Sequence, residues 1–111
     1  MNIETHEYKR CTLIKTEGRI DGSNAPELAE TLKGLTDSGK YKIVFDMTDV
    51  KFMASAGWWV LIDTQKTCKQ LGRGELILTN VDPGIRESLK LVGMGDYFKI
   101  FDDVTTAVGS F

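Results

Sequence analysis

Apolar and polar positions change period several times along the chain, and each change marks an element. Ile3 to Tyr8 alternates loosely, as an edge strand does. Cys11, Leu13 and the residues up to Ile20 read as a second strand, with Cys11, Leu13 and Lys15 on one side. Gly18 in that strand marks a bulge or a close backbone approach. From Ala25-Pro26 the period lengthens. Leu28, Leu32 and Leu35 recur at spacings of four and three, one face of a helix that Asp37-Ser38-Gly39 stops. Tyr41 to Met47 is apolar on consecutive residues, the mark of a strand covered on both faces. A second helical pattern runs from Ser55 to Leu71, with Leu61, Thr64, Cys68 and Leu71 on one face. Glu75 to Val81 reads as a fourth strand, and Asp82-Pro83-Gly84 turns into a helix bearing Ile85, Leu89 and Val92. Gly93-Met94-Gly95 breaks it, Tyr97 to Phe101 is a short last strand, and Asp102-Asp103 caps a terminal helix with Val104, Ala107 and Val108 inward.

Strands that alternate with helices specify an α/β fold. The expected sheet has four or five strands, mostly parallel, with about four helices and an antiparallel hairpin at the first edge. The 111 residues suit one domain spanning 1–111. In such sheets, sites gather beyond the carboxyl ends of the strands. That rim collects Asp21 to Asn24, Thr48 to Ser55, and Asn80 to Gly84.

The chain's most informative stretch is Phe52-Met53-Ala54-Ser55-Ala56-Gly57-Trp58-Trp59, where a strand bends into a helix. Ser55 falls at the helix mouth, where backbone N–H groups have no partner within the helix. Two readings stay open: an N-cap, or a hydroxyl displayed for chemistry or modification. Ala56 and Gly57 allow a close approach. Trp58 and Trp59 lie about 100° apart on a helix, so one faces the core and the other the surface beside Ser55. An exposed tryptophan on a polar rim suits a protein interface.

Charge and composition narrow the function. Fourteen basic against sixteen acidic residues, with no basic tract, argue against nucleic acid as a partner. No apolar stretch is long enough to span a bilayer, and the amino terminus carries no signal pattern, so the expected location is the cytoplasm, without membrane insertion. Cys11 and Cys68 read as separate buried thiols, and His6 as a surface residue. No metal-ligand cluster, P-loop or dinucleotide fingerprint is present, so neither metal nor cofactor is expected. Ser55 lacks a Gly-x-Ser-x-Gly frame and has no histidine nearby in sequence, which argues against an enzyme. Asp46, Asp49 and Asp63 read as caps or solvated charges.

Three stretches together resemble the STAS domains of bacterial anti-sigma-factor antagonists. Gly18-Arg19-Ile20-Asp21 resembles that family's Gly-x-Leu-Asp. Asp46 to Gly57 resembles its Asp-Leu-Ser-x-Val-x-Phe-Ile-Asp-Ser-Ser-Gly. Ile85 to Met94, followed by Phe98-Lys99-Ile100-Phe101, resembles its closing helix and last strand. The resemblance implies a binding module that sequesters an anti-sigma factor, itself a serine kinase, and so frees a sigma factor. It implies that the kinase phosphorylates Ser55 and that a serine phosphatase resets the module. The expected partner surface, from shared placement on the sheet rim, comprises Asp21, Ser23, Asn24, Ala54, Ser55, Ala56, Gly57, Trp58 and Trp59. Ala54 stands in place of the family's aspartate, Ala56 in place of its second serine, and Trp59 where a small glycine is usual. Two other readings belong to different classes: a scaffold subunit of a larger signalling or transport assembly, and a small-ligand or nucleotide binder using the rim.

Overall fold

A computed structural model describes residues 1–111 apart from the side chain of Leu71, so the expected core position of Leu71 lies outside the described residues. Five strands and four helices follow in the order β1 (Ile3–Glu7), β2 (Thr12–Ile20), α1 (Ala25–Asp37), β3 (Lys42–Met53), α2 (Ser55–Lys69), β4 (Glu75–Thr79), α3 (Pro83–Leu91), β5 (Ile100–Phe101) and α4 (Val104–Gly109). A 3-10 turn, Gln70–Gly72, extends α2. The strands lie side by side in chain order. β1 and β2 form an antiparallel hairpin, and every later pair is parallel. The mixed sheet, its antiparallel first edge and the helix count are as the hydrophobic pattern predicts.

A sheet that grows in one direction through right-handed crossovers puts its connecting helices on one face. Leu28 and Leu32 of α1, Trp58, Leu61, Ile62 and Cys68 of α2, and Ile85 and Leu89 of α3 accordingly share a core with Ile43, Phe45 and Met47 of β3 and Leu76 and Leu78 of β4. The opposite face, with Cys11, Val44 and Ile77, is covered by the short α4 through Ala107 and Val108. Period-two alternation along β3 sends Phe45 to one core and Val44 to the other, which is why this strand is apolar on consecutive residues.

Some expectations fail at element ends. β3 does not stop at Met47; it continues to Met53, so Thr48 to Met53 are strand rather than loop. β4 ends at Thr79, because Asn80 takes a left-handed φ of 56°. The last strand shrinks to two residues. Asp46 is neither cap nor solvated charge. The register sets it level with Lys15 of β2 and Thr79 of β4, and it is buried there. Its Oδ1 accepts from the Thr48 N–H (3.1 Å), the Thr48 hydroxyl (2.5 Å), the Thr79 hydroxyl (3.3 Å) and Asn80 Nδ2 (3.3 Å). Burial pushes the Asp46 carboxyl up, but the Thr48 and Asn80 hydrogen bonds and the nearby Lys15 ammonium together pull it below its ordinary value.

Candidate functional site

The candidate site is the rim where β2 and β3 end. Pairing between β3 and β4 runs from Lys42↔Glu75 to Asp46↔Thr79. The far half of β3 pairs only with β2, through to Ile20↔Met53, and forms a two-stranded ribbon. Two register shifts, at Lys15/Glu17 and Gly18/Arg19, bend this ribbon, and Gly18 sits between them at a φ of +81°. The bulge expected at Gly18 is therefore present, in a conformation that costs other residues strain. Beyond the ribbon the Ala54 N–H donates to the Ile20 carbonyl (2.8 Å), which ties the end of β2 to the mouth of α2.

That tie brings Asp21 and Ser55 to one rim from positions far apart in sequence. Asp21 follows Ile20, and Ser55 lies two residues beyond its partner Met53. Gly57 seats the helix start on the ribbon. A Cβ there would lie 2.5 Å from Met53 Sδ and 2.8 Å from Ile20 Cγ2, too close for any larger side chain without displacement.

Ser55 is exposed and is the first residue of α2, not its N-cap. Ala54 holds the N-cap position in extended conformation and offers no side-chain acceptor. The capping reading of Ser55 is thus overturned. The first turn also contains no acidic residue, so the positive end of the helix dipole is uncompensated beside the Ser55 hydroxyl.

Asp21, Ser23 and Asn24 do not cap α1 with their side chains either. They fold on one another. Asp21 Oδ1 accepts from the Ser23 hydroxyl (2.6 Å) and the Ser23 N–H (3.0 Å). Asn24 Oδ1 accepts from the Asp21 N–H (2.9 Å), while its Nδ2 donates to the Arg19 carbonyl (2.8 Å). The Ser23 hydroxyl and amide hold the Asp21 carboxyl below its ordinary range, so it is ionised at neutral pH.

The tryptophans divide as their angular spacing requires. Trp58 is buried, and its Nε1 donates to Ser88 Oγ (2.8 Å), pinning α3 to α2. Trp59 is 49% exposed. It lies four residues after Ser55, one turn along the same helix face. Of the residues assigned to the partner surface, Gly57 and Trp58 are buried and serve the frame, whereas Ser55, Ser23 and Trp59 are exposed. A further exposed aromatic escaped the sequence reading. Phe52 is 40% exposed and carries the Arg19 guanidinium 4.1 Å above its ring. Arg19 and Phe52 are register partners only because of the shifts in the ribbon, which residue spacing does not reveal.

Comparison with known proteins agrees with this architecture. The sequence matches the family model for the STAS domain over residues 2–107. An anti-sigma-B factor antagonist of Staphylococcus aureus is 27% identical over 100 residues, covering 90% of this chain and 92% of that protein. A Bordetella bronchiseptica protein with a name of the same kind is also 27% identical, over 95 residues, covering 86% of this chain and 81% of that one. Among solved structures, an anti-sigma factor antagonist from Mycobacterium paratuberculosis superposes with a TM-score of 0.86 at 19% identity, over 98% of this chain and 92% of that one. The Bacillus cell fate determinant SpoIIAA in its phosphorylated form gives 0.76 at 16% identity, over 98% of each chain. The chain belongs to the STAS domain family.

Proposed function

We propose that this chain is an anti-sigma-factor antagonist whose residues 1–111 act as one phosphorylation-switched binding domain in the cytoplasm. Unphosphorylated, it sequesters an anti-sigma factor that is also a serine kinase, and so frees a sigma factor. Phosphorylation of Ser55 ends the complex, and a serine phosphatase restores it. The observation that carries this reading is the exposed Ser55 hydroxyl on the first turn of an uncapped helix, on the same rim as the ionised Asp21. The names of the curated relatives support the antagonist role.

The physics of the switch is local. A phosphate adds about −1.5 to −2 charges at pH 7. At the mouth of α2 the helix dipole and free N–H groups accommodate that charge, so the domain itself changes little. At a partner interface the same charge must lose water near the Asp21 carboxylate, and like charges repel. A penalty of about 3 kcal/mol lowers affinity more than a hundredfold. The test is calorimetry of the kinase complex with Ser55→Ala and Ser55→Asp, alongside their melting temperatures. The Ala variant is expected to bind like wild type and to stay bound in the presence of ATP. The Asp variant is expected to fold like wild type and bind at least tenfold more weakly. An Asp variant with wild-type affinity would refute the switch.

A further inference from the structure

At the pole opposite Ser55, where the parallel strands begin, three separate connections border a solvent-open cavity of about 250 Å³. The β1–β2 turn contributes Glu7, Lys9 and Arg10, the α1–β3 connection contributes Lys40 and the start of β3 contributes Lys42, and Arg73 arrives from the segment between α2 and β4. Five of the chain's 14 Lys and Arg thus line one cavity, against one of its 16 Asp and Glu. The rest of the chain holds nine cations and fifteen anions, so a basic pole stands on an otherwise acidic molecule. Glu7 is already paired with Lys40. Among the described residues, Lys9, Arg10, Lys42 and Arg73 have no carboxylate within ion-pairing distance. The Arg73 guanidinium lies 5.8 Å from the centre of the Tyr41 ring, which restricts its side chain at the cavity wall.

Unpaired like charges gathered from three chain segments repel one another, and an anion placed among them removes that repulsion. A single carboxylate leaves most of the charge uncompensated. A compact group with several negative charges matches both the number of cations and the small volume, and the guanidinium fork suits phosphate oxygens. We propose that this cavity is a binding site for the di- or triphosphate group of a small molecule, separate from the Ser55 rim.

The test is NMR titration of the ¹⁵N-labelled full chain with sodium pyrophosphate at constant ionic strength, with sulfate and a poly-glutamate peptide as comparison probes. Expected are saturable shifts of the amides of residues 8–12, 39–42 and 73, with residues 54–59 unmoved. Pyrophosphate should bind at least tenfold more tightly than sulfate. Arg10→Glu and Arg73→Glu are each expected to weaken binding at least tenfold, and the milder Lys9→Ala and Lys42→Ala severalfold, with unchanged melting temperatures. Shifts that do not saturate, shifts scattered over surface lysines, or wild-type affinity in both arginine variants would overturn the proposal. So would poly-glutamate binding at this pole without pyrophosphate binding, which would mark an acidic protein partner instead.

Discussion

Two adjacent tryptophans on one helix have separate tasks. Trp58 fills the core between α2 and α3 and satisfies its indole N–H on Ser88, whose own hydroxyl donates to the Ile85 carbonyl (2.6 Å). Trp59 touches solvent on the Ser55 face. Trp58→Ala is therefore expected to cost about 3–5 kcal/mol in urea unfolding. Trp59→Ala is expected to stay within about 0.5 kcal/mol of wild type while weakening the proposed complex with an anti-sigma kinase. Equal stability losses in the two variants would contradict the division. Angular spacing on a helix predicted that one of the pair would be buried; only the packing of α3 decided which. Asp46 teaches the opposite lesson. An acid between Phe45 and Met47 looks like the end of an apolar run, because its partners Thr79 and Asn80 lie more than thirty residues away. The register across three strands, invisible to local spacing, makes it a buried and satisfied centre.

At the scale of elements, β4 shows how the sheet compensates for a short edge. β5 pairs with β4 only at Leu78 and Thr79, so Leu76 faces that side without a strand partner. Gln65 of α2, fully buried, fills the role with its amide. Its Oε1 accepts from the Leu76 N–H (2.6 Å), and its Nε2 donates to the Leu76 carbonyl (3.0 Å). A side chain on a helix thus completes a strand's hydrogen bonding. Gln65→Leu keeps the volume roughly constant but strands two buried backbone groups, at about 1–3 kcal/mol each. The expected readout is a lower urea midpoint together with faster amide exchange at Leu76. Wild-type stability would show that water or a β5 rearrangement replaces the amide. A glutamine on a helix otherwise rich in polar residues gives no local sign of this role, whereas the Leu28, Leu32 and Leu61 positions do declare theirs.

Over the whole molecule, the sheet separates two cores of unequal size, and each holds one cysteine. Cys68 lies in the large core under α1, α2 and α3, where burial pushes its thiol up to about 11. Cys11 lies in the small core under α4, its thiol also raised by burial. At pH 8 both are protonated and unreactive until the structure opens. A helix of six residues resting on a small cluster opens at lower cost than the main core. Thiol labelling of the native protein should therefore be biphasic, with Cys11 modified first and Cys68 only at the rate of global unfolding. Cys11→Ser should remove the fast phase alone. A single phase for both thiols would mean that the two cores open together.

Element order, the α/β class, the antiparallel first edge and the candidate serine are legible in the residues alone, because they depend on periodicity, turn chemistry and short motifs, all of which are local. Tertiary structure decided the rest. It set the length of β3, since a strand continues while a neighbour pairs with it, and β2 does so through Met53. It moved Ser55 from cap to first helical residue, since the Ile20 carbonyl, not a side chain, fixes where the helix begins. It paired Arg19 with Phe52, buried Asp46 and gathered five cations at the far pole, because each depends on strand register and crossover placement between segments far apart in the chain.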